Sequence, residues 1–391
     1  MPTSSTAPPR IRPVVPPFLL ERISEHSAGE GQSVTVGHAA ASAARTLAID
    51  RELVGSRVDS AVLPDTDSST RITTPVPSPS RAASGASRAS ILPQRSIYDA
   101  EHQQQLPGKL VRAEGRPTTG DVSVDEAYEG LGATFEFFRD VYGRNSLDGK
   151  GLPLSATVHY DRDYDNAFWD GERMVFGDGD GEVFGRFTAS LTVVAHELAH
   201  GFTQYSSQLE YSGQAGALNE SLSDVFGVLV QQHHLGQEAA AASWLVGEGL
   251  FLPAVQGLAL RSMIAPGSAY DDDVLGRDPQ PAAMEDYVET SADHGGVHIN
   301  SGIPNRAFAS SAITLGGRAW DRAGQVWFDV CTNGSLSPST DFANFAAATV
   351  NAAAERFGTE SDVRRAISAG WDTVGVTIDG IDVSGSASQR T

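Results

Sequence analysis

The stretch Leu191-Thr-Val-Val-Ala-His-Glu-Leu-Ala-His200 constrains this chain most, because an apolar run carries ionisable side chains in its middle. Such groups are costly to bury unless they are paired or hold an ion. The spacing predicts a half-buried helix, on which positions i and i+4 lie about 40° apart. His196 and His200 therefore face one way and can share a divalent ion, with Glu197 near the same side but free of it. Chance can also produce this spacing, so a second signal is needed.

It comes from Asn219-Glu-Ser-Leu-Ser-Asp224, where Glu220 and Asp224 share one helical face beside the apolar stripe Leu218, Leu222, Val225 and Leu229. Aligned acids next to a core ask for a cationic partner. A zinc site that activates water commonly has three protein ligands and one open position. With Glu220 as third ligand, two neutral histidines and a carboxylate leave a net charge of about +1, which acidifies bound water. Asp224 and Asn219 then become candidates to hold the far nitrogens of the imidazoles, and Glu197 the candidate to take a proton from the water.

Further on, Asp293-His-Gly-Gly-Val-His298 offers a carboxylate able to orient His298. A donor-poised His298, together with the Tyr211 hydroxyl, suits a developing oxyanion. Either residue alone would more often be structural. Asp178 and Asp180 in Gly177-Asp-Gly-Asp-Gly181 read as a turn, with calcium as the alternative. His233 and His234 are expected to be solvated at a helix end or to favour its dipole, and His294 to lie in a turn.

The chain has 391 residues and a net charge of -21. Residues 1 to 96 carry 10 Arg against 8 Asp and Glu, a balance of +2, which leaves -23 on the remainder. Such acidity disfavours nucleic acid as a partner. Cys331 has no cysteine to pair with, so no intrachain disulfide forms and a buried thiol is expected. No stretch approaches the roughly 20 apolar residues needed for a membrane span. The early apolar run Val14 to Leu20 is broken by Pro16 and Pro17, unlike a secretory signal.

Composition divides the chain into an apolar docking segment (1–50), a Ser/Thr/Pro/Ala-rich flexible linker (51–96), a β-rich lobe ending in the histidine helix (97–206), a mainly α lobe (207–375) and a tail (376–391). Helical spacing is expected over Asp125 to Val141, Leu191 to Ser206, Ala217 to Gln232, Ile303 to Leu315 and Phe342 to Phe357, and a strand over Leu154 to Tyr160. The fold class is α+β.

With these residues assembled, the chain resembles the thermolysin family of metallopeptidases over about residues 97 to 375. The likeness rests on Asn166-Ala-Phe-Trp169, Met174-Val-Phe-Gly-Asp-Gly-Asp-Gly181, Val194-Ala-His-Glu-Leu-Ala-His200, Gly216-Ala-Leu-Asn-Glu220, Ser223-Asp-Val-Phe-Gly227, Leu260-Arg-Ser-Met263 and Gly295-Gly-Val-His-Ile-Asn-Ser-Gly302. It implies a two-lobed zinc endopeptidase with the metal helix at the junction. It also implies Glu197 as general base, Tyr211 and His298 as stabilisers of the intermediate, Asp293 as orienter, and Asn166, Ala167 and Arg261 as holders of the substrate backbone. Phe184, Phe187, Val193, Val246 and Leu260 match the pocket for an apolar residue just after the scissile bond. Phe187 stands where the prototype has a smaller aliphatic residue, which implies a shallower pocket.

Departures accompany the resemblance. Thr192, Gln231, Ser243 and Leu245 replace ligands of the prototype's paired-calcium site, of which only Glu248 remains, and Leu258 replaces an acid at another calcium position. Thermolysin-type calcium dependence is therefore in doubt. Pro16-Pro-Phe-Leu19 resembles the short prosegment of the protealysin-type branch, and Ile97-Tyr-Asp-Ala100 the start of such mature enzymes. This implies a proenzyme whose own N-terminal segment docks on the catalytic part. Protein or peptide substrates follow, and location is expected to be extracellular by a route without a recognisable signal, or cytoplasmic. A binding module that uses this fold without turnover is the contrasting reading.

Overall fold

The computed structural model describes residues 11–26, 34–59 and 91–378. Most of the expected linker and tail lies outside them. Near the N-terminus come strand β1 (Arg12–Pro13) and helices α1 (Pro17–Glu25) and α2 (Val34–Asp59). Helix α2 passes the expected boundary at residue 50 by nine residues, and no proline stands between Arg51 and Asp59 to end it sooner.

Strands β2 (Arg95–Asp99), β3 (Lys109–Ala113), β4 (Leu154–Val158), β5 (Ala167–Trp169) and β6 (Met174–Phe176) join β1 in one sheet, ordered β1-β5-β6-β4-β2-β3. Helix α3 (Val122–Tyr142) lines this lobe. Its start is fixed by Asp121, whose side chain accepts from the Val124 amide, and its end by left-handed Gly143. The β4 strand is shorter than expected, because His159 has a positive φ of 54° that ends the extended run.

The centre of the molecule is helix α4 (Leu191–Gln204) packed on α5 (Gly213–Leu235). Gly227 permits their close crossing, since a Cβ there would lie 2.8 Å from the Thr192 carbonyl oxygen. The C-terminal lobe adds short strands β7 (Leu245–Val246), β8 (Arg261–Ser262), β9 (Asp271–Asp272) and β10 (Gly276–Arg277), then helices α6 (Asp293–Asn300), α7 (Gly302–Leu315), α8 (Ala323–Thr332), α9 (Phe342–Phe357) and α10 (Asp362–Thr373). A β-rich lobe thus precedes a helical one, and α4 stands between them. Cys331 is free and buried, and burial pushes its thiol pKa up. Among the described residues no helix is long and apolar enough to cross a membrane.

Candidate metal centre

Helical geometry delivers the first two side chains. His196 and His200 leave α4 on one face, with ring centroids 4.7 Å apart, and Glu220 meets them from α5. Glu220 Oε2 lies 3.4 Å from His196 Nε2, and Oε1 lies 3.4 Å from His200 Nε2. An ion held tetrahedrally at about 2.0–2.1 Å by such ligands separates them by about 3.3–3.4 Å, so the triad has the right spacing. All three side chains are fully buried, yet His196 Nε2, His200 Nε2 and Glu220 Oε2 make no hydrogen bond. Orphaned ligand atoms aimed at one point are what a resident cation would satisfy. Among the described residues this is the group of His, Cys, Asp and Glu that could hold a metal ion.

The far imidazole nitrogens are held as well. His196 Nδ1 is 2.8 Å from Asp224 Oδ1, and His200 Nδ1 is 3.1 Å from Asn219 Oδ1 and 2.9 Å from Ser223 Oγ. These bonds turn each Nε2 toward the point where an ion would be held. Asp224 is itself gripped by Arg261 through two 2.8 Å bonds and by Asn305 Nδ2 at 2.8 Å. Burial alone would raise its pKa, but Arg261 and His196 bring it down to about 2. Ser223 and Asn305 went unassigned in the sequence reading. Ser223 could have been found from its place one turn after Asn219, whereas Asn305, 81 residues from Asp224, gives no local signal.

Glu197 is fully buried beside the triad. Its Oε2 accepts from the Trp169 amide at 2.9 Å, and its Oε1 has no hydrogen-bond partner. Burial and the neighbouring Glu220 charge push its pKa well above the usual carboxylate range. Across the site, His298 Nδ1 lies 2.7 Å from Asp293 Oδ1, and its Nε2 is 3.3 Å from the Tyr211 hydroxyl. Burial alone would lower the His298 pKa, but Asp293 and Glu220 raise it to about 9. Tyr211 donates its hydroxyl proton to Glu220. The kink that presents His298 is made by His294, Gly295 and Gly296, all with positive φ.

Strand β5 borders this centre, and the chain's own N-terminal segment pairs with it. Arg12 and Pro13 oppose Trp169 and Phe168, antiparallel. Val14 N–H then donates to the Ala167 carbonyl at 3.0 Å, and Val15 N–H to Asn166 Oδ1 at 2.9 Å. Asn166 Nδ2 returns a bond to the Val15 carbonyl at 3.2 Å, and Arg261 Nη1 donates to the Val14 carbonyl at 3.1 Å. The Pro13 carbonyl accepts from His298 Nε2 at 3.1 Å. Val14 is fully buried in the same apolar cluster as Phe184, Phe187, Val193, Val246 and Leu260.

A buried metal triad and an extended peptide laid on the neighbouring strand call for comparison with known enzymes. Residues 84–204 match the family model described as the thermolysin metallopeptidase catalytic domain, and residues 207–376 match its alpha-helical domain. The chain belongs to the thermolysin family of metallopeptidases. The zinc-dependent chemistry of that family fits the His-His-Glu cluster found here. A family member from Pectobacterium carotovorum, an extracellular metalloprotease, is 57% identical over 285 residues, covering 73% of this chain and 81% of its own. Protease PrtS of Photorhabdus is 51% identical, covering 73% and 76%. Thermolysin of Alicyclobacillus acidocaldarius is 35% identical, covering 71% of this chain and 50% of its own. Among solved structures, the precursor of protealysin, a metalloproteinase from Serratia proteamaculans, matches with a TM-score of 0.78 and 47% identity, over 94% of this chain and all of that one.

The weaker sequence candidates take ordinary places in this thermolysin-family fold. Asp180 Oδ1 accepts from three successive amides, Glu182, Val183 and Phe184, and Asp178 pairs with His159 at 2.8 Å. The Asp180 bonds close a turn. His234 is exposed as expected, but His233 is half-buried between the rings of Phe137 and Trp320, so burial lowers its pKa.

Proposed function

We propose that this chain is the proenzyme of a zinc endopeptidase with His196, His200 and Glu220 as ligands. The observation that carries the reading is the fully buried triad whose unpartnered atoms converge at ligand spacing. A zinc ion held there would polarise the substrate carbonyl and acidify a water molecule. Glu197, with Oε1 unpartnered, takes the proton from the attacking water and passes it to the leaving amine. His298, fixed by Asp293, and Tyr211 donate to the carbonyl oxygen as it gains charge. Asn219 and Asp224 hold the imidazoles in place.

The N-terminal segment supports the roles of the substrate-holding residues. Asn166, Ala167 and Arg261 bind its backbone at Val14 and Val15, and the Pro13 carbonyl accepts from His298. A peptide substrate lying the same way is cut after the residue in Pro13's place, with the next side chain in the pocket of Phe184, Phe187, Val193, Val246 and Leu260. Phe187 fills part of that pocket and makes it shallow. The occupied cleft is also why residues 1–59 restrain activity until the chain is cut between them and the lobes 97–206 and 207–375.

Contacts within the chain stand where calcium would bind in the prototype. Thr192 Oγ1 accepts from the Gly247 amide at 2.9 Å, and Ser243 donates to Glu248 at 2.8 Å. They support stability without calcium. The extracellular naming of the Pectobacterium relative favours an extracellular site of action.

The deciding experiment measures zinc content and cleavage of a denatured protein before and after Glu197→Gln. Metal kept with cleavage lost supports the reading. A wild-type chain that binds zinc, has been cut free of residues 1–59 and still cleaves nothing would sink it.

A further inference from the structure

The docked N-terminal segment also marks a position on the other side of the scissile bond. Its register is fixed by the bonds at Pro13, Val14 and Val15, so Arg12 occupies the place of the residue two before the cut. Arg12 does not reach for solvent. It is only 9% exposed, and its Nη1 donates to Asn219 Oδ1 at 3.2 Å and to Thr203 Oγ1 at 3.5 Å. The guanidinium carbon lies 5.2 Å from the centre of the Tyr211 ring.

A buried cation is retained where acceptors or an aromatic face replace its lost hydration. Asn219 and Thr203 supply acceptor oxygens, and Tyr211 supplies the face. A planar guanidinium can donate along its edge while lying over a ring, which a lysine ammonium cannot match. The long-range field acts in the same direction. Residues 97–391 carry the -23 that remains when the +2 of residues 1–96 is taken from the total of -21. Such a surface draws basic peptides.

We propose that Asn219, Thr203 and the ring of Tyr211 form a subsite that selects substrates with arginine two residues before the cleaved bond. This deepens the endopeptidase reading and rests on it. The prosegment then serves as a self-directed copy of the preferred sequence, with Arg12 in the basic subsite and Val14 in the apolar one.

The test uses the full chain after limited proteolysis within residues 60–90, and quenched fluorogenic peptides identical except for Arg, Lys or Gln two residues before the cut. Mass spectrometry verifies that all are cut at the same bond. The expected kcat/KM for the Arg peptide exceeds that for the Gln peptide by about tenfold, the scale of one charge-assisted hydrogen bond, with Lys between. Thr203→Val lowers the Arg-to-Gln ratio, a change that general loss of folding would not produce. Ratios within about twofold of one, with every peptide cut, overturn the subsite. If no peptide is cut by zinc-loaded enzyme, the endopeptidase reading itself falls.

Discussion

Asp50 on α2 accepts a hydrogen bond from Asn166 Nδ2 at 3.0 Å, so the prosegment holds the same side chain that binds the backbone of Val15. Tyr164 donates to the other oxygen of Asp50. The carboxyl is buried, and Tyr160 stands near it.

The first prediction follows from this contact. Burial raises the Asp50 pKa from 3.8 to about 7, although the bonds from Tyr164 and Asn166 pull the other way. A raised pKa in the docked state means that docking is strongest below the free value and weakens as pH rises through about 7. Amide-exchange protection at Val14 and Val15, read in the Glu197→Gln chain to prevent self-cleavage, should therefore fall between about pH 4 and pH 7. Asp50→Asn should flatten that dependence. A flat profile in the presence of Asp50 would refute the linkage.

Glu197→Gln should cut kcat by roughly a hundred- to ten-thousandfold, the usual worth of a positioned acid-base group. Zinc binding should stay stoichiometric, because Glu197 is not among the ligands. Metal analysis beside a peptide assay separates the two effects.

Removing Asp224 should damage both metal affinity and stability. Asp224→Ala leaves the Arg261 guanidinium buried without its carboxylate and His196 without its orienting partner. About 3–5 kcal/mol of stability and roughly 10–100-fold in zinc affinity should be lost. Urea unfolding and competition with a chelating dye give the two numbers. Asp224→Asn should recover part of the zinc affinity if hydrogen bonding to His196 is what matters.

Phe187→Val should deepen the apolar pocket. The preference for Phe or Leu over Val just after the cut should then rise by roughly tenfold in kcat/KM. An unchanged preference would remove Phe187 from the pocket wall.

The contacts of Thr192 and Ser243 lead to a further expectation. A calcium-selective chelator should move the thermal midpoint by less than about 2 °C, because a ligand that does not bind the native state cannot stabilise it. A large fall would show a calcium site elsewhere.

Sequence alone determined what depends on local periodicity. The four-residue spacing of His196 and His200, and of Glu220 and Asp224, already fixed which side chains share a helical face, and α4 and α5 bear this out. The helix over Phe342–Phe357 was legible for the same reason. Tertiary structure alone decided that Asn305 would close on Asp224, that Asp50 would reach Asn166 and that Arg12 would enter the site between Asn219 and Tyr211. Those partners are separated by 81, 116 and 207 residues for the three hydrogen bonds, distances over which no spacing rule acts. They meet because β1 pairs with the edge of β5 and the two lobes enclose one buried centre, which is a property of packing.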